Sequence, residues 1–125
     1  MGEKKKILVI DDDPDITDSI KAILTGSGFE VYTASDGKEG LEAVATVRPD
    51  LVLCDMMMEQ IDAGSKVAQE IRKKDTVLPV YLLSSIGAAT AENIEIEKLG
   101  FNGVFQKPVP PDHMILTIKK ALHME

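Results

Sequence analysis

The chain has 125 residues, 44% of them apolar, which fits one domain of ordinary size (residues 1–125) around a single core. Fourteen basic against twenty-one acidic residues leave a net charge of −7, which argues against direct binding to nucleic acid or to an anionic membrane and points to protein partners. Cys54 is the only cysteine, so an intramolecular disulfide is excluded and a reducing cytoplasm is the expected setting, and no apolar run is long enough to span a bilayer.

Taken in chain order, the first element is a strand over Lys6 to Ile10, whose apolar run stops at the aspartates Asp11-Asp12-Asp13 and so is too short for a signal peptide. Asp13-Pro14 predicts a helix cap followed by proline in the first turn. Ile16, Ile20, Ile23 and Leu24 then share one helical face, and Gly26 and Gly28 mark its stop. A second strand runs from Glu30 to Ala34. After the turn Ser35-Asp36-Gly37 comes a helix expected to bury Leu41, Val44 and Ala45. Arg48-Pro49-Asp50 ends that connection, and Leu51-Val52-Leu53-Cys54 forms a third strand leading to Asp55.

A helix is predicted from near Ser65, with Val67, Ala68 and Ile71 inward, and Arg72-Lys73-Lys74 reads as its solvated basic end. A fourth strand starts at Pro79 and reaches Ser84 and Ser85. Ala88 to Leu99 predicts a helix with a poor apolar stripe, and Gly103 to Gln106 a fifth strand. Pro110-Pro111-Asp112 opens a last helix carrying Ile115, Ile118 and Leu122, with His113 and His123 expected on its exposed side. Five strands alternating with five helices predict an α/β fold of βαβ units. Their short runs, rich in β-branched residues, suit a parallel sheet covered on both faces.

The chemistry lies where strands end. Ligands of open α/β sheets bind at the carboxyl ends of the strands, and here those ends carry Asp11, Asp12 and Asp55, with Ser84 and Lys107 following two further runs. Two carboxylates ~4 Å apart repel by about 4 kcal/mol at an effective dielectric of ~20. A proton, a basic side chain or a hard cation must relieve that cost, and an oxygen-rich shell suits Mg²⁺ best. Acids, a hydroxyl and an ammonium together suit phosphoryl transfer onto a carboxylate. Asp55 stands alone at its strand end and is the natural nucleophile, whereas the Asp11 and Asp12 pair suits a cation. Asp13, followed by proline, reads as a helix cap, and Cys54, inside its run, as packing.

Ile7-Leu8-Val9-Ile10-Asp11-Asp12-Asp13-Pro14, Asp55-Met56-Met57-Met58, Pro79 to Ser84 and Lys107-Pro108 stand in the order and approximate spacing of a response-regulator receiver domain, and the chain resembles that family over essentially its whole length. The resemblance implies a flavodoxin-like doubly wound sheet of five parallel strands in the order 2-1-3-4-5 with five helices. It implies that Asp55 accepts a phosphoryl group from a phosphohistidine of a sensor histidine kinase or a histidine phosphotransfer protein. Mg²⁺ would be held by Asp11, Asp12, Asp55 and the backbone carbonyl of Met57. Ser84 and Lys107 would contact the phosphoryl group. A downstream protein would dock on the face formed by the fourth helix, fifth strand and fifth helix. Catalysis would be confined to the chain's own phosphotransfer and dephosphorylation.

Some positions depart from the family pattern. The aromatic usual three residues before the lysine is Val104, with Phe105 beside it. The proline usual four residues after the phosphoacceptor is Glu59, and the glycine after Asp62 is Ala63. Met57 and Ile86, two residues after Asp55 and Ser84, are apolar and are expected to leave the phosphoryl group long-lived. Two other readings are a phosphorylation-independent pseudo-receiver that only binds proteins, and a hydrolase of the aspartyl-phosphate type. The hydrolase needs an acid two residues after its nucleophile, where Met57 stands. With no output domain after residue 125, the expectation is a stand-alone receiver that docks or relays phosphate.

Overall fold

All five short apolar runs form strands: β1 (Lys6–Ile10), β2 (Glu30–Ala34), β3 (Leu51–Asp55), β4 (Val80–Ser84) and β5 (Gly103–Gln106). The structure is a computed structural model that describes residues 4–55, 69–73, 77–84, 102–106 and 110–123, and of Asp55, Ser84, Val104 and Gln106 it describes the backbone. The strands make one parallel sheet in the order β2-β1-β3-β4-β5, as the family resemblance implies. Among the described residues no helix is long and apolar enough to cross a membrane.

Alternation along the strands divides the core between the two faces of the sheet. Ile7, Val9, Val31, Leu51, Leu53, Leu83 and Phe105 pack with Ile20 and Leu24 of helix α1 (Pro14–Gly26) and with Met114 and Ile118 of the last helix (Pro111–Ala121). Leu8, Ile10, Ala34, Val52, Cys54, Val80 and Leu82 pack on the other face with Ile71 and, less deeply, with Leu41, Ala43 and Val44 of helix α2 (Gly37–Val47). The expected helix from Ser65 is seen in its helical residues 69–73, where Ile71 is buried as predicted. Its predicted start, with Val67 and Ala68, and the segment Ala88 to Leu99 lie outside the described residues.

Both N-terminal caps on the side of the acids form. Asp13 is extended (φ −94°, ψ 108°) and its side chain accepts from Asp15 N, while Asp36 accepts from Glu39 N at 2.7 Å. Glu39 reaches back to accept from Ser35 N at 3.1 Å, a reciprocal cap where the sequence predicts a plain turn. α2 ends on Arg48 in the left-handed region (φ 56°), and Pro49 then prevents its continuation.

Two inward faces differ from expectation. Ala45 is exposed, because α2 turns Gly40 toward the sheet. A Cβ at Gly40 would lie 2.5 Å from Ile10 Cδ1 and 2.9 Å from Ile10 Cγ1, so a side chain there would displace the buried Ile10, and the buried line is rotated away from Ala45. On the last helix the buried pair is Met114 and Ile118, and Ile115 and Leu122 are only partly covered. Unbranched Met114 packs into the same core as Phe105, where the pattern predicts isoleucine. Gly40→Val is expected to lower stability by about 1–3 kcal/mol through overpacking against Ile10, read as a lower urea midpoint with an unchanged m-value.

Candidate functional site at the carboxyl rim

The register places the strand ends. Ile10 pairs with Cys54, so Asp11 and Asp55 each follow the same step of the adjacent strands β1 and β3. Adjacent strands lie ~4.8 Å apart, which brings the two positions side by side at one edge. Asp55 pairs with Leu83, so Ser84 stands one residue further out on β4. Ser84 pairs with Gln106, the last residue of β5, and Lys107 is next in sequence. The rim is therefore level between β1 and β3 and steps out by one residue at β4. Lys107 and Met57 themselves lie outside the described residues.

Asp11 and Asp12, adjacent in sequence, have opposite environments. Asp11 is 2% exposed, its backbone N–H donates to Ala34 O at 3.0 Å, and its Oδ1 accepts from Asp13 N at 3.0 Å. Asp12 is exposed. A carboxylate as buried as that of Asp11 requires compensation from hydrogen bonds or positive charge. This donor set, hard oxygens at a strand tip, fits Mg²⁺. Among the described residues no group of three His, Cys, Asp or Glu side chains is disposed for a metal, and the side chain of Asp55 is not among those described.

Phe105 is 2% exposed and belongs to the core under α1 and the last helix. Its ring stands 5.5 Å from that of Tyr81 at 31° and 5.8 Å from that of His113 at 83°. It is thus a packing residue of the core where β4, β5 and the last helix meet. His113 is exposed, as expected, but one edge of its surroundings is this ring, a contact that helical periodicity does not reveal. Away from the rim, on the edge strand β2, the Tyr32 phenol donates to the Glu30 carboxylate. That bond chiefly, with burial and the Glu30 charge adding to it, raises the Tyr32 pKa above its ordinary value of 10.0.

Comparison with known proteins agrees with this geometry. The family model described as "Response regulator receiver domain" matches residues 7–119, and the chain belongs to that family. The curated relatives include the alkaline phosphatase synthesis transcriptional regulatory protein PhoP of Bacillus subtilis (strain 168). It is 34% identical over 94% of this chain and 48% of its own length. The DNA-binding response regulator MtrA of Mycolicibacterium smegmatis is 30% identical over 95% of this chain and 51% of its own length. The chain thus spans about half the length of the curated relatives it matches.

Among solved structures, the receiver domain of NtrX from Brucella abortus superposes with a TM-score of 0.85 at 32% identity, covering 95% of this chain and 99% of that one. The chemotaxis response regulator CheY4 of Vibrio cholerae gives 0.84 at 25% identity, covering 96% and 100%. The fold is the α/β flavodoxin-like receiver fold. Its homologues are two-component response regulators, and receiver domains of this kind generally bind Mg²⁺ at the phosphorylation site and interact with sensor kinases.

Proposed function

We propose that this chain is a phosphorylation switch in which Asp55 receives a phosphoryl group from the phosphohistidine of a sensor histidine kinase or a histidine phosphotransfer protein. The observation that carries this reading is the pairing of Ile10 with Cys54, which sets Asp11 beside Asp55 at the carboxyl edge of the sheet. An oxygen of the Asp55 carboxylate attacks phosphorus. The P–N bond of the donor breaks with its electron pair left on the imidazole, which takes up a proton, and an acyl phosphate forms. Asp11, Asp12, Asp55 and the Met57 carbonyl would hold Mg²⁺, which would neutralise charge on the transferring oxygens. Ser84 donates its hydroxyl and Lys107 its ammonium to the phosphoryl group.

Water later cleaves the acyl phosphate to carboxylate and inorganic phosphate, and the chain catalyses nothing beyond these two steps on itself. Residues 1–125 act as one receiver domain in the cytoplasm, with helices over the segments near Ser65 and over Ala88 to Leu99 completing a five-helix pattern. Phosphorylation changes the affinity of the surface around β5, the last helix and the Ala88 to Leu99 segment for a protein target. Such a shift equals the difference in phosphate contacts between two states.

Incubation with Mg²⁺ and acetyl phosphate, followed by mapping of the acid-stable, base-labile phosphate, tests the reading. Label on Asp55 is the expected result. Saturable Mg²⁺ binding with no label at any carboxylate would leave a pseudo-receiver. Met57 offers hydrolytic water no polar contact, so Met57→Asn is expected to shorten the lifetime of the acyl phosphate, measured as the decay of purified phosphoprotein. A longer lifetime in the variant would refute that role.

A further inference from the structure

We infer that Asp13, with Pro14, is a positioning residue for the metal-binding carboxylate of Asp11; this rests on the reading of Asp11 as a Mg²⁺ ligand. Three hydrogen-bonding steps connect the start of α1 to the rim. Asp15 N donates to Asp13 Oδ1 at 2.9 Å, Ile16 N and Thr17 N donate to Asp13 O at 3.1 Å, and Asp13 N donates to Asp11 Oδ1 at 3.0 Å. One residue therefore caps the helix with its side chain and carbonyl and, with its own N–H, grips the carboxylate two positions earlier.

The conformation that permits both is dictated from the other side. A residue before proline is disfavoured in the right-handed helical region, and Asp13 is found extended at φ −94°, ψ 108°. Pro14 is in turn anchored by the side chain of buried Thr17, whose Oγ1 donates to Pro14 O at 3.1 Å. Asp11 is held from behind as well, through Asp11 N to Ala34 O on β2. Asp11 is thus held between the sheet, through its backbone, and the first turn of α1, through its carboxylate. Groups that orient a metal ligand contribute to metal affinity without touching the metal.

Charge and geometry make different predictions for substitutions at 13. Asp13→Asn removes the negative charge but keeps an oxygen that can accept from Asp15 N, and Asp13→Ser keeps a shorter cap. Asp13→Ala removes the same charge and the cap together. The wild type and these variants, with Pro14→Ala, are titrated with Mg²⁺ alone and followed by backbone amide chemical shifts, well below the melting temperature of each. Hydrogen exchange at the amide of residue 13 reports the bond to Asp11 directly.

The expected result is a Mg²⁺ dissociation constant about three- to tenfold higher in Asp13→Ala than in Asp13→Asn, with Asp13→Ser near the latter and Pro14→Ala raised in the same direction. Faster amide exchange at residue 13 should accompany each loss. Equal affinities in Asp13→Ala, Asp13→Asn and Pro14→Ala overturn the positioning role and leave the metal site intact. A wild type without saturable Mg²⁺ binding overturns both together. Should Asp13→Ala fail to fold, Pro14→Ala against wild type decides the matter in the same way.

Discussion

Asp55→Ala is expected to take up no base-labile phosphate from acetyl phosphate under conditions in which the wild type is labelled, with its urea midpoint preserved. The loss should be complete, because among the described residues of the rim neither Asp11 nor Asp12 can substitute as nucleophile. Asp11 is buried and already accepts a hydrogen bond from Asp13 N, and Asp12, one residue beyond it, is off the register step that Asp55 occupies. Asp55→Asn, which matches the carboxylate in size and lacks its charge, should be equally inert, since an amide is a poor nucleophile toward phosphorus.

Chelation of Mg²⁺ is expected to give the same loss in the unaltered protein, reversed on adding the ion back. Phosphate appearing on Asp11 or Asp12 in the Asp55→Ala protein would show that the nucleophile had been assigned to the wrong strand tip.

Phe105→Ala is expected to lower stability by about 3–5 kcal/mol, the usual cost of deleting a buried aromatic ring. For a chain of this size that corresponds to a fall in Tm of about 10–20 °C. The ring is 2% exposed and touches Tyr81 from the neighbouring strand and His113 from the last helix, so its loss leaves a cavity where three elements meet. Phe105→Leu should recover much of the stability and keep phosphorylation at Asp55, since the residue lies in the core. Urea denaturation of both variants with a common m-value is the measurement. A cost under about 1 kcal/mol for the alanine variant would contradict the packing described here.

The strands were legible because their signal is simple. Short apolar runs bounded by Asp, Gly and Pro admit one reading when they are too short for helices, and three of the five begin and end where the pattern puts them, while β3 takes in Asp55 beyond its apolar run and β4 starts one residue later, at Val80. Helix starts were legible where the capping residue is local, as at Asp13-Pro14. Helix faces were less so. At α2 the pattern offered Leu41, Val44 and Ala45, yet the buried position is Gly40, because how closely a helix approaches a sheet depends on the partner surface, here Ile10. The burial of Met114 has the same origin, since a flexible side chain goes inward where the core it joins has room for it.

The sequence by itself determined the acids at the strand tips, the proline-locked cap of α1 and the alternation that sends one set of side chains to each face. Each of these depends on a few neighbouring residues and on backbone sterics. Only the tertiary structure decided that Asp11 is buried while Asp12 is exposed, that Phe105 is a core ring, and that the rim steps out by one residue at β4. Those outcomes depend on strand register and on which helix covers which strand. These are set by contacts between residues far apart along the chain, so no local pattern encodes them.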